Sequence, residues 1–346
     1  MAIYEGLYTK TLRTLIILFL IAALALGGWV AWQLHVPVTP PANTYLLLRP
    51  GYSTRRIAAE LKKAGVIRNE HAFWLWHLLK PKPTLKAGEY LFDREATLPQ
   101  VYERIARGDI YFHVVTIPEG YTIFDIAKAI EDAGLGSAEN FLRIAETQTQ
   151  LISDLAPEAK SLEGYLFPNT YQFTRTQSQQ DMAAAMVHQF RAVAQEIGLN
   201  ADIPGVDIPK VVTMASIVEK ETAAPEERPL VAGVYYNRLA QKMALDADPS
   251  VIYAELLAGT YQGSLHHADM AVSSPYNTYR FPGLPPGPIG NPGRSALEAA
   301  LHPDDSKFLY FVSDGNGHHR FARSLEEHNR NVSAYRHSLN HSLGLH

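Results

Sequence analysis

One stretch of sequence decides how the chain is organised: Lys210-Val211-Val212-Thr213-Met214-Ala215-Ser216-Ile217-Val218-Glu219-Lys220-Glu221-Thr222. Its apolar residues fall on every side of a helix, and a helix that is apolar all round is buried in a protein core. A carboxylate at the mouth of such a helix loses hydration, which favours its neutral form and raises its pKa. Glu219 is therefore a candidate general acid. The alternative is that these charges simply end a buried helix where it reaches solvent.

Glu219 has no close carboxylate partner in this stretch. Glu221 lies two residues further on, about 200° around a helix, so the two side chains cannot face one cleft as a pair. Asp246 and Asp248 bracket Ala247, a pattern that also occurs in metal–nucleotide sites. Any further partner of Glu219 must therefore come from another part of the chain.

Residues 281–293 are mostly Pro and Gly. This composition predicts a rigid, extended segment with bare backbone groups, which is suited to lining a groove. Just before it, Tyr276, Asn277 and Tyr279 are candidates for stacking on a sugar and for amide contacts to it. A plain surface loop is the alternative interpretation of the same segment.

The N-terminal region sets the compartment. Residues 14–34 carry no charge, and a helix of about nineteen apolar residues spans about 28 Å, close to the roughly 30 Å hydrocarbon core of a bilayer. Lys10 and Arg13 precede the segment, and positive residues stay cytoplasmic. We therefore predict a cytoplasmic segment over 1–13, a transmembrane anchor over 14–34 and an exported remainder. A signal peptide cleaved near Ala23 is the alternative.

Composition excludes several classes of protein. The 346 residues contain no cysteine, which rules out disulfide scaffolds, thiol catalysis and Cys-ligated zinc or iron–sulfur sites. The net charge is −4, whereas nucleic-acid-binding proteins usually have an excess of basic residues. No phosphate-binding or dinucleotide-binding fingerprint occurs. We predict no cofactor and no metal, although a hydrolase using a metal remains an alternative, at Asp246 and Asp248 or at the histidines His266, His267, His318, His319 and His328.

Residues 35–44 contain three prolines and predict a stiff, extended linker. A strand–helix–helix–strand pattern follows over 45–112, in the order typical of LysM-type modules, which bind N-acetyl sugars. A purely structural role for this region is the alternative. Part of the pattern returns over 113–160 at a constant spacing, which suggests a duplicated unit. The identities are Gly51, Tyr52, Ile57, Ala58, Ala64 and Gly65, which return as Gly120, Tyr121, Ile126, Ala127, Ala133 and Gly134.

Four motifs, in this order, resemble those of the YceG-like endolytic murein transglycosylases, and the resemblance covers essentially the whole chain. They are Glu163-Gly164-Tyr165-Leu166-Phe167-Pro168, Ala215 to Thr222, Asp248-Pro249-Ser250-Val251-Ile252-Tyr253, and Tyr276-Asn277-Thr278-Tyr279 with Gly283-Leu284-Pro285-Pro286-Gly287. Asn169 stands where that family often has Asp, so no essential acidic role is expected at this position.

The resemblance implies cleavage of peptidoglycan between N-acetylmuramic acid and N-acetylglucosamine, with Glu219 as catalytic acid. Glu219 would protonate the glycosidic oxygen and then deprotonate the C6 hydroxyl of the muramoyl residue, which attacks its own C1. Ordinary glycosidases need two carboxylates, whereas a tethered nucleophile can dispense with the second. The substrate-binding residues expected from the motifs are Asp248, Tyr276, Asn277, Tyr279 and Glu163.

The predicted fold class is α+β, because strands and helices do not alternate regularly. It comprises one transmembrane helix, a LysM-like β-α-α-β region and a mixed α+β catalytic domain over 161–335, followed by a polar tail over 336–346. The expected partners are peptidoglycan glycan strands, the lipid bilayer through residues 14–34 and, from the family alone, membrane-bound peptidoglycan synthases. The anchor suggests internal cutting of nascent strands, which would end their elongation. A non-catalytic wall-binding scaffold for those synthases is the competing hypothesis.

Overall fold

The structure, a computed structural model, describes residues 2–80, 84–200 and 206–342. Its contacts divide the chain into two compact units. Unit 1 comprises residues 1–113 together with 173–177, and unit 2 comprises 114–172 together with 178–346. The division places residues 114–160 with the C-terminal part of the chain, so it does not coincide with the predicted boundary at residue 161.

The first element of unit 1 is the helix α1 (Ala2–His35), which includes the predicted anchor. Within it, Leu12–His35 is long and apolar enough to cross a membrane, and its apolar side chains are exposed along most of that length. The length and composition suit a membrane anchor or a signal segment. The predicted cytoplasmic segment continues the same helix from Ala2 onward.

The rest of unit 1 is a small α+β fold. Strand β1 (Thr44–Leu48) pairs antiparallel with β2 (Gly88–Phe92), with Thr44 opposite Phe92 and Leu48 opposite Gly88. Two helices connect these strands, α2 (Thr54–Lys63) and α3 (Glu70–Leu79), and α4 (Leu98–Arg107) follows them. Leu61, Phe73, Tyr90 and Ile105 are fully buried in the shared core. The β-α-α-β order agrees with the predicted one, while kinship with LysM modules stays a prediction.

The segment predicted as an extended linker is attached to unit 1. Arg68 donates to the carbonyl oxygens of Val36 and Pro37 at 2.7 and 2.6 Å, and Val38 forms an antiparallel bridge with Ala96. Proline has no backbone N–H, but backbone carbonyls near it still need hydrogen-bond donors. Arg68 supplies those donors to Val36 and Pro37. The beginning of the segment is therefore held in place rather than freely extended.

The predicted repeat has matching local geometry in its two copies. Strand β3 (His113–Thr116), α5 (Ile123–Asp132), α6 (Ala138–Thr147) and β4 (Thr170–Phe173) repeat the β-α-α-β order, and β3 pairs with β4. The first helix of each copy begins at a capping hydroxyl, Ser53 or Thr122, which accepts a backbone N–H. Each then ends at a glycine with positive φ, Gly65 at 72° or Gly134 at 69°, a conformation that favours glycine.

The remainder of unit 2 is mostly helical. Its helices are α7 (Gln179–Glu196), α8 (Ile208–Glu221), α9 (Arg228–Ala240), α10 (Asp248–Ala258), α11 (Arg294–Leu301) and α12 (Leu325–Ser342). The hairpin β5 (Tyr310–Ser313) and β6 (His319–Ala322) precedes α12, with Tyr310 opposite Ala322. The mixed α+β class is therefore confirmed.

Helix α8 is the central element of unit 2, as its all-round apolar sequence predicts. Every residue from Val211 to Val218 is buried, and the helix packs against α9, α10 and α11. Asp207 caps its start by accepting the N–H of Lys210, and extended backbone at Thr222 ends it. Alanines on α11 are buried and allow that helix to approach closely. Glu219 is thereby fixed at the point where the core helix ends.

Candidate active site

Glu219 lies at the end of α8 and both of its carboxylate oxygens accept hydrogen bonds. Oε1 accepts from Nη2 of Arg228 at 2.6 Å, and Oε2 accepts from the backbone N–H of Gly293 at 2.9 Å. The side chain is only 5 % exposed, so it does not point into open solvent. Gly293 is the N-cap of α11, and the positive end of a helix dipole further stabilises a negative charge beside it.

A second carboxylate shares the same arginine. Nη2 of Arg228 lies 3.5 Å from Oε2 of Glu119, whose side chain is 50 % exposed, whereas Arg228 is buried. A side chain added at Gly293 would collide with the Glu119 carboxylate, so this glycine makes room for it. Nε of Arg228 is buried and has no hydrogen-bond partner among the described residues. One buried cation therefore lies between a buried and an accessible carboxylate, and it retains an unused donor.

Two opposing effects set the proton affinity of Glu219. Burial raises the pKa of Glu219, while the hydrogen bond from Gly293 and the charge of Arg228 lower it, and the net pKa is raised. The nearby negative charge of Glu119 adds to the increase. The contacts of Glu219 therefore favour its carboxylate form, and its burial favours the protonated form.

Two loops are joined next to Glu219 by the buried side chain of Asn291. Its Nδ2 donates to the carbonyl of Tyr121 at 2.9 Å, and its Oδ1 accepts the N–H of Leu166 at 2.8 Å. The backbones of the two loops are also paired, because Gly120 donates to the Asn291 carbonyl at 2.8 Å. Gly120 has a φ of 77°, and a side chain there would contact Glu219. This pairing fixes the backbone on both sides of the carboxylate.

Glu163 is buried behind these loops and is 2 % exposed. Its Oε1 accepts from Nδ2 of Asn291 at 2.8 Å, and its Oε2 accepts the N–H of Ile123 and the hydroxyl of Tyr253, both at 3.0 Å. Burial raises the pKa of Glu163 to about 8, against the opposing effect of the Ile123 N–H. Direct contact of Glu163 with substrate stays a prediction, while its placement favours support of the loops around Glu219.

Glu221 lies on another side of α8, as its spacing from Glu219 predicts. It is hydrogen-bonded to Tyr235, and burial raises the pKa of Glu221 to about 7, with a further contribution from the charge of Asp248. Asp248 begins α10 and accepts the Tyr279 hydroxyl at 2.5 Å. Asp248 and Tyr279 are both exposed. The structure therefore brings these two predicted residues together, on the Glu221 side of α8.

Tyr276 and Asn277 belong to the loop that precedes the Pro- and Gly-rich segment. The Tyr276 ring packs against Tyr253, with centroids 5.1 Å apart, so it is connected to Glu163 through one side chain. Asn277 is fully buried, and its Nδ2 donates to the carbonyls of Met270 and Val272. Contact of Asn277 with substrate stays a prediction, and these hydrogen bonds favour a role in shaping the loop.

The Pro- and Gly-rich segment does line a cavity. A cavity of about 500 Å³ lies between Leu284, Pro285 and Pro286 on one side and Lys210 and Thr213 of α8 on the other. It is at the start of α8, whereas Glu219 is at the end. The same segment continues to Asn291 and Gly293, so it borders α8 along its length.

Most of the histidines considered as metal ligands contact other side chains. His318 and His319 each lie against Glu227, with Nδ1 of His319 at 2.7 Å from Oε2, and His266 lies 3.1 Å from Ser264. In the parts of the chain that the structure describes, no group of three or more His, Asp or Glu side chains is placed to hold a metal ion.

Residues 46–334 match the profile of the YceG-like family. This range covers most of the chain and includes Glu219 and every residue that contacts it. The chain belongs to the YceG-like family.

Similar YceG-like proteins occur in several bacteria. The chain is 35 % identical over 306 residues to a Bacillus subtilis protein named endolytic murein transglycosylase, covering 84 % of each chain. It is 28 % identical to a Streptococcus pneumoniae protein of the same name, over 93 % of this chain and 65 % of that one. A crystal structure of a YceG-like protein from Listeria monocytogenes superposes with a TM-score of 0.58 at 32 % identity, covering 83 % of this chain and 98 % of the other.

Sequence reasoning did not find Arg228, Glu119 or Asn291 as site residues. Glu119 and Asn291 stand next to glycines that leave room for neighbouring groups, Gly120 and Gly290, and a side chain at Gly290 would contact the backbone of Gly120. Such paired glycines are a signal of close backbone approach. Arg228 stands at the start of α9 without a comparable signal, and its role appears only from the fold.

Proposed function

We propose that this YceG-like protein is a membrane-anchored endolytic lytic transglycosylase that cleaves peptidoglycan between N-acetylmuramic acid and N-acetylglucosamine. The observation that carries the proposal is the environment of Glu219. It is a buried carboxylate with a raised pKa, it contacts a buried arginine, and it ends a core helix that fixes its position. The names of the relatives from Bacillus subtilis and Streptococcus pneumoniae support the same activity.

In the first step, protonated Glu219 donates its proton to the glycosidic oxygen. The bond from that oxygen to C1 of the muramoyl residue breaks, and the N-acetylglucosamine chain leaves with a free hydroxyl. Positive charge develops at C1 and the ring oxygen, and the carboxylate formed at Glu219 lies close enough to stabilise it. General acid catalysis by one positioned group contributes about 10²–10⁴-fold in rate.

In the second step, the Glu219 carboxylate takes the proton from the C6 hydroxyl of the same muramoyl residue. The C6 oxygen bonds to C1 and closes the 1,6-anhydro ring, and Glu219 regains its proton for the next cycle. No water enters the product. Because the nucleophile is tethered to the reacting ring, its effective concentration replaces a second catalytic carboxylate. Glu163, sealed among Ile123, Tyr253 and Asn291, is not required for either step.

The position of Arg228 determines whether Glu219 can hold its proton. When Arg228 contacts Glu219, the carboxylate form is favoured, and when it moves toward Glu119, the proton is favoured instead. The unused Nε donor of Arg228 favours such a move once a sugar substituent supplies an acceptor, because an unsatisfied buried donor costs about 1–3 kcal/mol. Glu119 is accessible and receives the displaced cation.

The predicted substrate contacts divide into two groups. Asp248, Tyr276 and Tyr279 are at least partly accessible, and we assign them to contacts with the glycan. Asn277 and Glu163 are buried, and we assign them to support of the loops that carry those contacts. Aromatic rings such as Tyr276 and Tyr279 present a flat apolar face with a polar edge, which suits them to sugar rings.

The apolar helix α1 supports a position at the membrane. With Lys10 and Arg13 on the cytoplasmic side, α1 spans the inner membrane once and the chain after α1 lies outside the cytoplasm. A catalytic site tethered there meets newly polymerised glycan before it joins the mature wall. We therefore assign to the enzyme the cutting of nascent strands, which ends their elongation, alongside membrane-bound peptidoglycan synthases.

Product mass on digestion of purified sacculi tests the proposal. The wild-type protein is expected to release fragments with 1,6-anhydro ends, which are one water lighter than hydrolysis products. Glu219→Gln is expected to keep the fold by circular dichroism and to lose this release. Glu226→Gln, an exposed carboxylate in the following turn, is the matched control and retains it.

Three outcomes would contradict the proposal in different ways. Sacculus binding by both proteins without any new chain ends would identify the competing scaffold function. Anhydro products from Glu219→Gln at the wild-type rate would move the catalytic site to another residue. Products that carry an added water would identify a hydrolase.

A further inference from the structure

Helix α3 of unit 1 carries apolar side chains that the unit does not bury. Most of its ten residues are apolar, but only Ala72 and Phe73 lie in the core. Leu75, Leu78 and Leu79 are exposed, the last two at 56 and 71 %. We call these three leucines the α3 apolar face. Clustered apolar side chains of this kind on a protein surface mark an interaction site rather than an accident of composition.

The α3 apolar face is continuous with the end of the apolar helix α1. Leu75 and Leu79 line a shallow apolar groove together with Trp29, Val30 and Leu34 of α1. Arg68, just before α3, bonds to carbonyls beyond the end of α1, and the C-terminal part of α3 then lies beside Trp29. Helix α3 therefore runs back along α1, toward the segment that is long enough to span a bilayer.

Cationic side chains lie against tryptophan rings near both ends of α3. The guanidinium of Arg68 lies 5.0 Å from the Trp32 ring centroid, and the ammonium of Lys80 lies 4.8 Å from that of Trp76. Tryptophan is enriched where the apolar core of a bilayer meets its headgroups, and long basic side chains near a helix end reach toward the phosphates. Cation–aromatic pairs therefore lie at both ends of α3, on either side of its exposed leucines.

We propose that the α3 apolar face is inserted in the lipid bilayer, in the leaflet on the C-terminal side of α1. The inference rests on the membrane anchor in the proposed function. Leu78 and Leu79 contact acyl chains, and Arg68 and Lys80 contact lipid phosphates. Unit 1 is then attached to the membrane at two points, α1 and α3, and it is held in one orientation instead of rotating about a linker.

The contacts of the segment after α1 agree with this attachment. A flexible linker would let unit 1 turn freely, but Arg68 and the bridge between Val38 and Ala96 hold the chain against the unit. With α1 fixed across the bilayer, these contacts keep α3 beside the membrane surface. Burying a leucine side chain in an apolar environment is favourable relative to leaving it in water, so the three leucines add to the attachment by α1.

Site-specific fluorescence tests the proposal, and the chain is suited to it because it contains no cysteine. Single cysteines are introduced as Leu79→Cys on the α3 apolar face, Ile17→Cys in α1 and His71→Cys in the first turn of α3. His71 is exposed and lies two helical turns before Leu79, farther from Trp29. Each full-length variant is labelled with an environment-sensitive fluorophore and reconstituted in vesicles of phosphatidylethanolamine and phosphatidylglycerol.

Nitroxide-labelled lipids and aqueous iodide then report the surroundings of each fluorophore. The label at residue 79 is expected to shift to shorter emission wavelength, to lose most of its emission to lipid nitroxides and to be protected from iodide. The label at residue 71 is expected to be quenched by iodide. Because Leu79 is largely exposed, its replacement leaves the core intact.

The label at residue 17 separates failure of this inference from failure of the anchor. If residue 17 is quenched by lipid nitroxides while residue 79 is quenched by iodide, the anchor holds and the α3 insertion is wrong. If residue 79 is protected from both quenchers, protein covers the face instead of lipid, and the insertion is again wrong. If residue 17 itself is not in lipid, the membrane anchor fails and the inference fails with it.

Discussion

Two buried glutamates of unit 2, Glu219 and Glu163, differ in what surrounds them. Burial raises the pKa of both side chains. Glu219 contacts the cation of Arg228, and the half-exposed Glu119 lies on the other side of that cation. The hydrogen bonds that Glu163 accepts in the described part of the chain come from neutral donors, on Ile123, Tyr253 and Asn291. Glu219 therefore belongs to a row of charged groups that reaches the surface at Glu119, whereas Glu163 is enclosed in the protein.

In the proposed function, this difference separates the carboxyl group assigned to catalysis from the one assigned to loop support. Glu163 can be protonated without any rearrangement, because the Tyr253 hydroxyl can either donate to a carboxylate or accept from a carboxylic acid. The charge of Arg228 lowers the pKa of Glu219, so a ligand that moves Arg228 would change the protonation of Glu219. Burial and a raised pKa alone would not have distinguished the two residues; their charged neighbours do.

Removing the charged neighbour of Glu219 is expected to give the largest effect. Arg228→Met leaves a buried carboxylate without its cation, and breaking a buried ion pair in this way costs about 3–5 kcal/mol. The loss grows as pH rises, because at low pH Glu219 can take up a proton and avoid the uncompensated charge. Denaturant unfolding at several pH values measures this dependence.

The same variant is expected to change the pH profile of activity. Arg228 favours the carboxylate form, so its removal raises the pKa of Glu219 further and moves the alkaline limb of kcat/KM to higher pH, with a lower maximum. Arg228→Lys keeps the positive charge but loses the forked guanidinium. The alkaline limb of kcat/KM in this variant is therefore expected to stay closer to that of the wild type. An unmoved limb in Arg228→Met would show that the arginine does not set the protonation of Glu219.

The sequence predicted the position of Glu219 better than it predicted the charged neighbours of Glu219. Glu219 was predictable because an all-round apolar helix that ends in a carboxylate is a local pattern, contained in residues 210–222. Arg228 and Glu119 lie far apart in the chain, and no pattern around either residue shows that the two side chains meet. Their meeting depends on how α8, α9 and the loop before α5 pack, which no local pattern encodes.

Local features of the fold were likewise easier to predict from the sequence than long-range packing. The duplicated helices were predictable because capping hydroxyls and terminal glycines are local signals, and the structure has them at Ser53, Thr122, Gly65 and Gly134. Residues 114–160 group with unit 2, away from the first copy of the repeat, because long-range packing decides where such segments belong. The buried state of Asn277 was hidden for the same reason, since its backbone partners depend on the path of its own loop.

The enclosed glutamate is expected to affect stability more than chemistry. In Glu163→Gln one side-chain oxygen becomes an amide nitrogen, which would face either the Ile123 N–H or the Asn291 amide, donor against donor. An unsatisfied buried donor costs about 1–3 kcal/mol, so the free energy of unfolding falls by this amount. Anhydro product formation is expected to persist at temperatures where the variant is folded. Loss of activity in a fully folded variant would move Glu163 into the catalytic machinery.

The pH dependence of stability sharpens the same test. Burial raises the pKa of Glu163 from its ordinary value of 4.5 to about 8. Between these values the folded protein holds a proton that the unfolded chain has lost, so this group makes the free energy of unfolding decrease as pH rises. Glu163→Gln cannot titrate and lacks this contribution. Unfolding measured from about pH 5 to about pH 8 is therefore expected to be flatter in the variant, and an unchanged slope would contradict the raised pKa.

The smallest expected effect comes from the accessible carboxylate, Glu119. Burial is the main cause of the raised pKa of Glu219, and the negative charge of Glu119 adds to it. Glu119→Gln removes that charge, so the pKa of Glu219 falls and the alkaline limb of kcat/KM moves to lower pH, opposite to the shift in Arg228→Met. This shift is smaller than the one expected in Arg228→Met, because solvent and salt screen the half-exposed Glu119. Repeating the profiles at high ionic strength should narrow the difference between variant and wild type. A fall in kcat/KM without any displacement of the limb would instead show that Glu119 acts by contacting the glycan, and the shared-cation description of Arg228 would then be wrong.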